Sequence, residues 1–405
     1  MSRPGWFRKQ QSMLATGGAT ASRPTVRRRS VALTAGGAAL VFAAGISIVA
    51  FDAPGSHANP VPSVQPSNTV QPGGALRVVS ITPASGSHGA NGASPIWVQF
   101  SAPLSASSQL PQLSPQIPGN WQLQGDLAVF VPTGGFFENT KVKVTVPAGV
   151  SSSAGATLAS PVTATYTTGS FSTLRLQQLL SQLGYLPLTW TPRSHSVVNP
   201  GDAQAQVAAA YSPPSGTFTW QSGYPSSLKD QWKAGAGNIL DVGAIRAFES
   251  VNGLTMDGVA GHTVWSDLFA AVAKGKDNPN GYTYALADQN LPETLTVWHD
   301  GRVVLQSAAN TGIPASPTVD GTYPVYLRFY FTYMKGLNPD GTPYDDPVYY
   351  VSYFNGGDAV HYFPRGSYGF NQSLGCVELP WGSAAKAYPY LTYGSLVTVI
   401  GPVGG

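Results

Sequence analysis

From about residue 75 onward the apolar residues of this chain recur in short runs of period two, except in one stretch, 170–275, where the period lengthens to that of a helix. Alternate side chains share one face of a strand, whereas every third or fourth shares a face of a helix, so the two patterns demand different elements. The chain is therefore expected to be multidomain and mainly β, with a small helical domain between two β-rich ones. Its 46 glycines and 34 prolines punctuate the runs, which keeps the strands short and the turns frequent.

The N-terminus obeys a third pattern. Residues 1–30 hold seven basic side chains (Arg3, Arg8, Lys9, Arg23, Arg27, Arg28, Arg29) and no acid, and Val31 to Phe51 is uncharged and mostly apolar. An apolar span of this length can cross a hydrocarbon core, and flanking basic residues hold their end in the cytoplasm. Residues 1–51 thus read as a basic tail with a transmembrane or signal segment, so the protein is expected outside the cytoplasm, membrane-anchored or, after cleavage near Ser56-His57-Ala58, secreted. Without the tail the body carries 15 basic against 19 acidic residues, a balance that argues against nucleic acid as a partner. Residues 52–74, rich in Pro, Ser, Asn, Gln and Gly, form a tether with too few apolar groups to offset chain entropy.

In 75–169 the alternating runs Leu76 to Ile81, Ile96 to Phe100, Leu127 to Val131 and Lys141 to Val146 predict a small antiparallel sandwich. The phrases Ile81-Thr82-Pro83-Ala84-Ser85-Gly86, Phe100-Ser101-Ala102-Pro103-Leu104 and Val146-Pro147-Ala148-Gly149-Val150 resemble bacterial Ig-like domains of surface proteins. A spacer or interaction role follows.

In 170–275 three helices are expected. Leu176, Leu179, Leu180 and Leu183 fall on one face, with Ser172 or Thr173 to start and Gly184 to stop; a second helix runs from Asp241 to Asn252 and a third from about Thr263 to Ala273. With Gly253-Leu254-Thr255-Met256-Asp257-Gly258 between the last two, the arrangement resembles the three-helix peptidoglycan-binding domain, interrupted by a long insertion rich in Ser, Pro, Gly and Ala. The resemblance implies a fold; glycan binding and a plain packing role are both open, because fold does not give function.

The region 292–401 returns to strands, with His299-Asp300-Gly301 as a hairpin turn. It holds the chain's one cysteine, Cys376, in the turn Ser373-Leu374-Gly375-Cys376. A lone thiol forms no internal disulfide, so it is either a small buried hydrophobe or a reactive group. Of six histidines only His361, fifteen positions earlier, ends an apolar run before a Gly-rich loop. A folded-back loop brings such a pair together, and an imidazole beside a thiol can form a thiolate–imidazolium pair. Gly375 lets the backbone turn sharply, and the amides around it are candidates for an oxyanion hole.

Ala359-Val360-His361, Gly369 and Ser373-Leu374-Gly375-Cys376-Val377 resemble the catalytic signature of L,D-transpeptidases of the YkuD type, and Asn310-Thr311-Gly312 with Thr318 to Tyr323 resembles that family's early strands. The resemblance implies an enzyme on peptidoglycan stem peptides, with Cys376 as nucleophile, His361 as proton acceptor and donor, Ser373 and Gly375 shaping the turn, and no metal or organic cofactor. The family's cysteine attacks the carbonyl ahead of a terminal D-alanine, and an amine on a neighbouring stem resolves the thioester into a cross-link. Tyr353 and Arg365 are candidates on the substrate side, against the ordinary readings of a packed aromatic and a solvated loop charge. The chain departs from the family at Tyr362, Leu374 and Glu378, the last placing an acid where the family frequently meets anionic substrate. Other acceptors would make the same chemistry an L,D-carboxypeptidase or a protein-anchoring enzyme, and a non-catalytic wall-binding protein is the alternative of a different class.

Overall fold

The computed structural model describes residues 74–402. The basic tail and the apolar span ending at Phe51, and all but the last residue of the tether, lie outside the described residues. Among the described residues no helix is long and apolar enough to cross a membrane.

The first body is a sandwich. One sheet has the order Val78–Thr82, Ile96–Phe100, Leu127–Pro132, Gly119–Gln124; the other has Gln112–Ser114, Lys141–Val146, Val162–Thr167. The inward residues of the alternating runs, among them Ile96, Val98, Phe100, Val142, Val144 and Val146, are almost fully buried between the sheets, as period-two patterning requires.

The helical region matches the expected helices at Thr173–Gln182, Ile239–Asn252 and His262–Lys274. Asn238 caps the second, with Asp241 reaching back to the Asn238 amide at 3.1 Å, the reciprocal pairing of a capping box. The insertion, however, is built structure: a hairpin of Leu188–Pro192 with Gly216–Trp220 encloses a further helix, Ala203–Tyr211. That helix has no apolar stripe in AQAQVAAAY for periodicity to find. It is tied in by Arg175, buried to 2% exposure, whose guanidinium donates to Gln206 at 2.8 Å and Gln178 at 3.2 Å. With no carboxylate to pair with, burial pushes Arg175 down to about 10.

The last body stacks two sheets. The five-stranded sheet has the order Arg302–Ala308, Thr294–His299, Thr283–Asp288, Leu396–Ile400, Gly321–Pro324, and the four-stranded one Leu327–Leu337, Pro343–Asn355, Asp358–Tyr362, Val377–Leu379. Thr283–Asp288 is the central strand, parallel to Leu396–Ile400, so this body starts ahead of the Pro292 boundary read from sequence. The apolar run from Tyr323 to Phe331 is split after Pro324 between the two sheets, since proline cannot donate to a ladder. The hairpin turn forms as expected, with Asp300 and Gly301 at φ +47° and +75°.

The bodies share cores. Tyr282, Tyr284 and Leu396 pack with Leu180, Tyr185 and Phe248 of the helical region in one cluster. The Tyr224 hydroxyl donates to the Tyr282 carbonyl at 2.9 Å, and that of Tyr211 to Phe136 of the sandwich at 3.0 Å. The helical region is thus a wedge between the two β bodies rather than an independent bead.

Candidate active site

The Cys376 turn is held from behind by an extended segment, Asn310 to Ile313. Asn310 and Glu378 exchange backbone hydrogen bonds of 3.0 and 2.9 Å, the Gln372 and Ser373 amides donate to the Thr311 carbonyl at 3.0 and 2.9 Å, and the Ile313 amide donates to Ser373 at 3.0 Å. Buried Glu293 holds that segment in turn, accepting from the Thr311 amide at 2.6 Å and its hydroxyl at 2.9 Å. Thr318 closes the arrangement, its hydroxyl accepting from the Gly312 amide and donating to the Gly375 carbonyl, both at 2.8 Å.

Within the turn, Ser373 is fully buried; its hydroxyl donates to the Cys376 carbonyl at 2.6 Å and accepts from the Gly375 amide at 3.2 Å. The Gly375 amide is therefore committed to Ser373 rather than presented to an oxyanion. The Cys376 amide takes no part in the hydrogen bonds that hold the turn. Gly375 adopts φ +110°, and a Cβ there would collide with the Asp358 carboxylate, so glycine is required on both counts.

In front of the turn lies a cavity of about 410 Å³. Cys376, His361 and Tyr353 line it, together with Met334, Tyr344, Asp358, Phe363, Arg365, Leu374 and Glu378. Ser373 and Gly375 stand behind the wall, not on it. The long hairpin of Leu327–Leu337 and Pro343–Asn355 forms its outer side, contributing Tyr333, Met334, Lys335 and Tyr344. Tyr353 is half-buried and forms part of the wall beside Cys376.

Cys376 is partly exposed. Its Sγ lies 3.8 Å from the Gly357 carbonyl and 4.0 Å from Met334 Sδ, and no hydrogen bond joins it to His361 among the described residues. Burial, and then the negative charges of Asp358 and Glu378, push the thiol up to about 12, against a partial offset from the Ala359 amide. His361 is 2% exposed, and burial pulls it below the ordinary imidazole value. The resting pair is accordingly a neutral thiol and a neutral imidazole, not the thiolate–imidazolium pair expected from spacing alone. His361 Nδ1 lies 2.9 Å from the Tyr362 carbonyl. A carbonyl only accepts, so Nδ1 carries the proton and Nε2 keeps a free lone pair.

The departures from the family pattern find their places here. Glu378 accepts two hydrogen bonds from Arg365, at 2.8 Å from Nε and 2.7 Å from a terminal nitrogen, so its charge is balanced within the wall. Arg365 is correspondingly not a solvated loop charge: it also donates to the Gln372 carbonyl at 3.0 Å and stacks on Phe363. Tyr362 faces away, edge-on to Trp381 at 4.9 Å. Asp358 was not singled out from sequence; the Asn355-Gly356-Gly357-Asp358 turn ahead of His361 was its one signal. Glu293 was likewise silent, and Thr318 entered only through the resemblance of its segment to the family's early strands, because a residue that holds a turn from behind shares no spacing rule with it.

Two family models match the chain: the L,D-transpeptidase catalytic domain (YkuD) over residues 283–399, and a bacterial Ig-like domain over residues 73–173. Among solved structures, an L,D-transpeptidase from Mycobacterium smegmatis is 15% identical, covering 80% of this chain and 99% of that one, with a TM-score of 0.28. L,D-transpeptidase 3 from Mycobacterium tuberculosis, in complex with a faropenem-derived adduct, is 15% identical over 80% and 98%, with a TM-score of 0.28. The catalytic domain of the E. faecium L,D-transpeptidase is 28% identical over 29% and 96%, with a TM-score of 0.27. No curated protein matches the sequence. By the two family models, this chain carries an L,D-transpeptidase catalytic domain of the YkuD family at residues 283–399, preceded by a bacterial Ig-like domain.

Proposed function

We propose that this protein is a peptidoglycan L,D-transpeptidase that works outside the cytoplasm through a thioester on Cys376. The observation that carries this reading is the single cavity whose wall holds both Cys376 and His361, in a domain matched by the catalytic family model. His361 Nε2 takes the thiol proton as Sγ attacks the stem-peptide carbonyl, so the thiolate exists only as the C–S bond forms. Its burial suits it to that transfer: an imidazole of lowered basicity gives the proton up readily to the leaving D-alanine amine. The oxyanion is met by the Cys376 amide, the Gly375 amide being engaged by Ser373. The C–N bond to D-alanine breaks and leaves a thioester; an acceptor amine then attacks it, the C–S bond breaks, and the thiol recovers a proton from His361.

Tyr353 lines the substrate side of this cavity. The N-terminal basic and apolar segment supports export.

Intact-mass spectrometry after incubation with imipenem tests the reading. One adduct per chain is expected, mapping to Cys376 and absent from Cys376→Ala, while that variant keeps its circular dichroism spectrum. A folded wild-type protein that takes no adduct, or one that acylates elsewhere, would refute the assignment.

A further inference from the structure

The cavity wall holds more negative than positive free charge. Its two basic side chains are already paired, Lys335 with Asp345 at 2.8 Å and Arg365 with Glu378 at 2.7 Å. Two more carboxylates line the wall, Asp346, whose charge is felt at Arg365 and Tyr344, and Asp358, whose charge is felt at Cys376; among the described residues neither has a basic partner in an ion pair. The one side-chain contact of Asp358 is a long one, from Asn355 at 3.5 Å. Its carboxylate packs against the bare face of Gly375, in the space a side chain there would fill, and its charge is felt at the Cys376 thiol. The Tyr323 and Tyr326 phenols, the other titratable groups that sense it, are neutral at physiological pH.

An unpaired carboxylate beside a nucleophilic thiol hinders the first half of the reaction, because it disfavours the thiolate. It helps the second half. The acceptor is an amine that arrives as an ammonium ion, and it must be held at the thioester and lose a proton before it can attack. We propose that Asp358 selects the acceptor: its carboxylate binds the ammonium group of the incoming amine beside the Cys376 thioester and takes one proton from it. The neutral amine then attacks the carbonyl, the C–N bond forms as the C–S bond breaks, the second amine proton passes to the thiolate by way of His361, and Asp358 returns its own proton to solvent. Burial pushes the Asp358 carboxyl up to about 6, which leaves it ionised at neutral pH yet basic enough to accept a proton. Water gains nothing from this carboxylate as a charge, so transfer to an amine outruns hydrolysis.

This inference rests on the thioester mechanism above, and the test separates the two. The full chain is acylated with a stem tetrapeptide, thioester formation is followed by intact mass, and products are quantified with either Nα-acetyl-lysine amide, a cation, or hydroxylamine, a neutral nucleophile at pH 7. Asp358→Asn should lower the ratio of transfer to hydrolysis for the lysine amide by about tenfold or more, the worth of one charge-assisted hydrogen bond. The ratio for hydroxylamine should hold, and Asp358→Glu should restore part of the preference for the cation. An unchanged lysine-amide ratio, or equal losses for both nucleophiles, overturns the role of Asp358. Absence of any thioester in the wild type overturns the underlying mechanism, and this role with it. Should Asp358→Asn not acylate, Asp358→Ser, which leaves the Gly375 turn its room, carries the same comparison.

Discussion

Arg365 and Glu378 hold each other through two parallel hydrogen bonds in the wall of the cavity that Cys376 and His361 line, with the Glu378 side chain only 5% exposed and that of Arg365 28%. A buried ion pair is weak evidence for stability as a whole, but removing one partner strands the other's charge. Because Glu378 also pairs by backbone with Asn310, and His361 stands opposite it in the parallel ladder, disturbance there reaches His361 directly.

Arg365→Ala should therefore destabilise the protein by about 3 kcal/mol, seen as a lower thermal midpoint by differential scanning fluorimetry. Replacing both partners, Arg365→Met with Glu378→Leu, should recover much of that loss. A double variant no more stable than the single one would mean that the pair is held for reasons other than charge balance.

The resting thiol sets a second expectation. With Cys376 pushed up to about 12 and His361 lowered, iodoacetamide should alkylate the free enzyme slowly near neutrality, with a rate that climbs with pH through 9 and beyond. A plateau near neutral pH would mark a preformed thiolate–imidazolium pair and contradict the neutral one.

Gly375→Ala places a methyl group against the Asp358 carboxylate at φ +110°. The strain, about 1–3 kcal/mol, can be relieved only by moving the Cys376 turn or Asp358. Acylation by imipenem should fall at least about tenfold, the equivalent of 1.4 kcal/mol, with the fold retained. Stopped-flow fluorescence of acylation checks it.

Stability should run against the usual direction between about pH 5.5 and 7.5. Burial pushes Asp241 up to about 6, Glu249 to about 7 and Asp358 to about 6, so in this window the native state keeps protons that the unfolded chain has released. Their contribution is present at the acid end and lost as pH rises through those values. His361, lowered by burial, opposes this, since the unfolded chain protonates it first on the acid side. Three carboxyls outweigh one imidazole, and the thermal midpoint should be higher at pH 5.5 than at 7.5. Asp241→Asn and Glu249→Gln should flatten the difference; a midpoint that rises with pH would reverse the balance.

At the helix start, Asn238→Ala removes the cap and half of the box with Asp241. A loss of about 1 kcal/mol is expected in urea unfolding, with acylation unaffected.

Local pattern determined a good deal of this protein. Alternation marked the strands of both β bodies, heptad-like spacing marked the helices at Thr173–Gln182, Ile239–Asn252 and His262–Lys274, and Cys376 with His361 stood out by rarity and spacing. These are properties of neighbours in the chain, and periodicity reads neighbours. What tertiary structure alone decided are relations between distant segments. The insertion packs Val207, Ala210 and Leu228 into the core of the helical region, and Arg175 of the first helix binds its Gln206. The central strand at Thr283–Asp288 became visible only through its pairing with Leu396–Ile400. Glu378 is neutralised by Arg365, the Gly375 amide is held by Ser373, and Asp358 stands against Gly375. Charge state and hydrogen-bond commitment depend on what burial brings within a few ångströms. The sequence could therefore nominate the thiol and the imidazole, while only the fold shows that both rest neutral and that a carboxylate waits beside them.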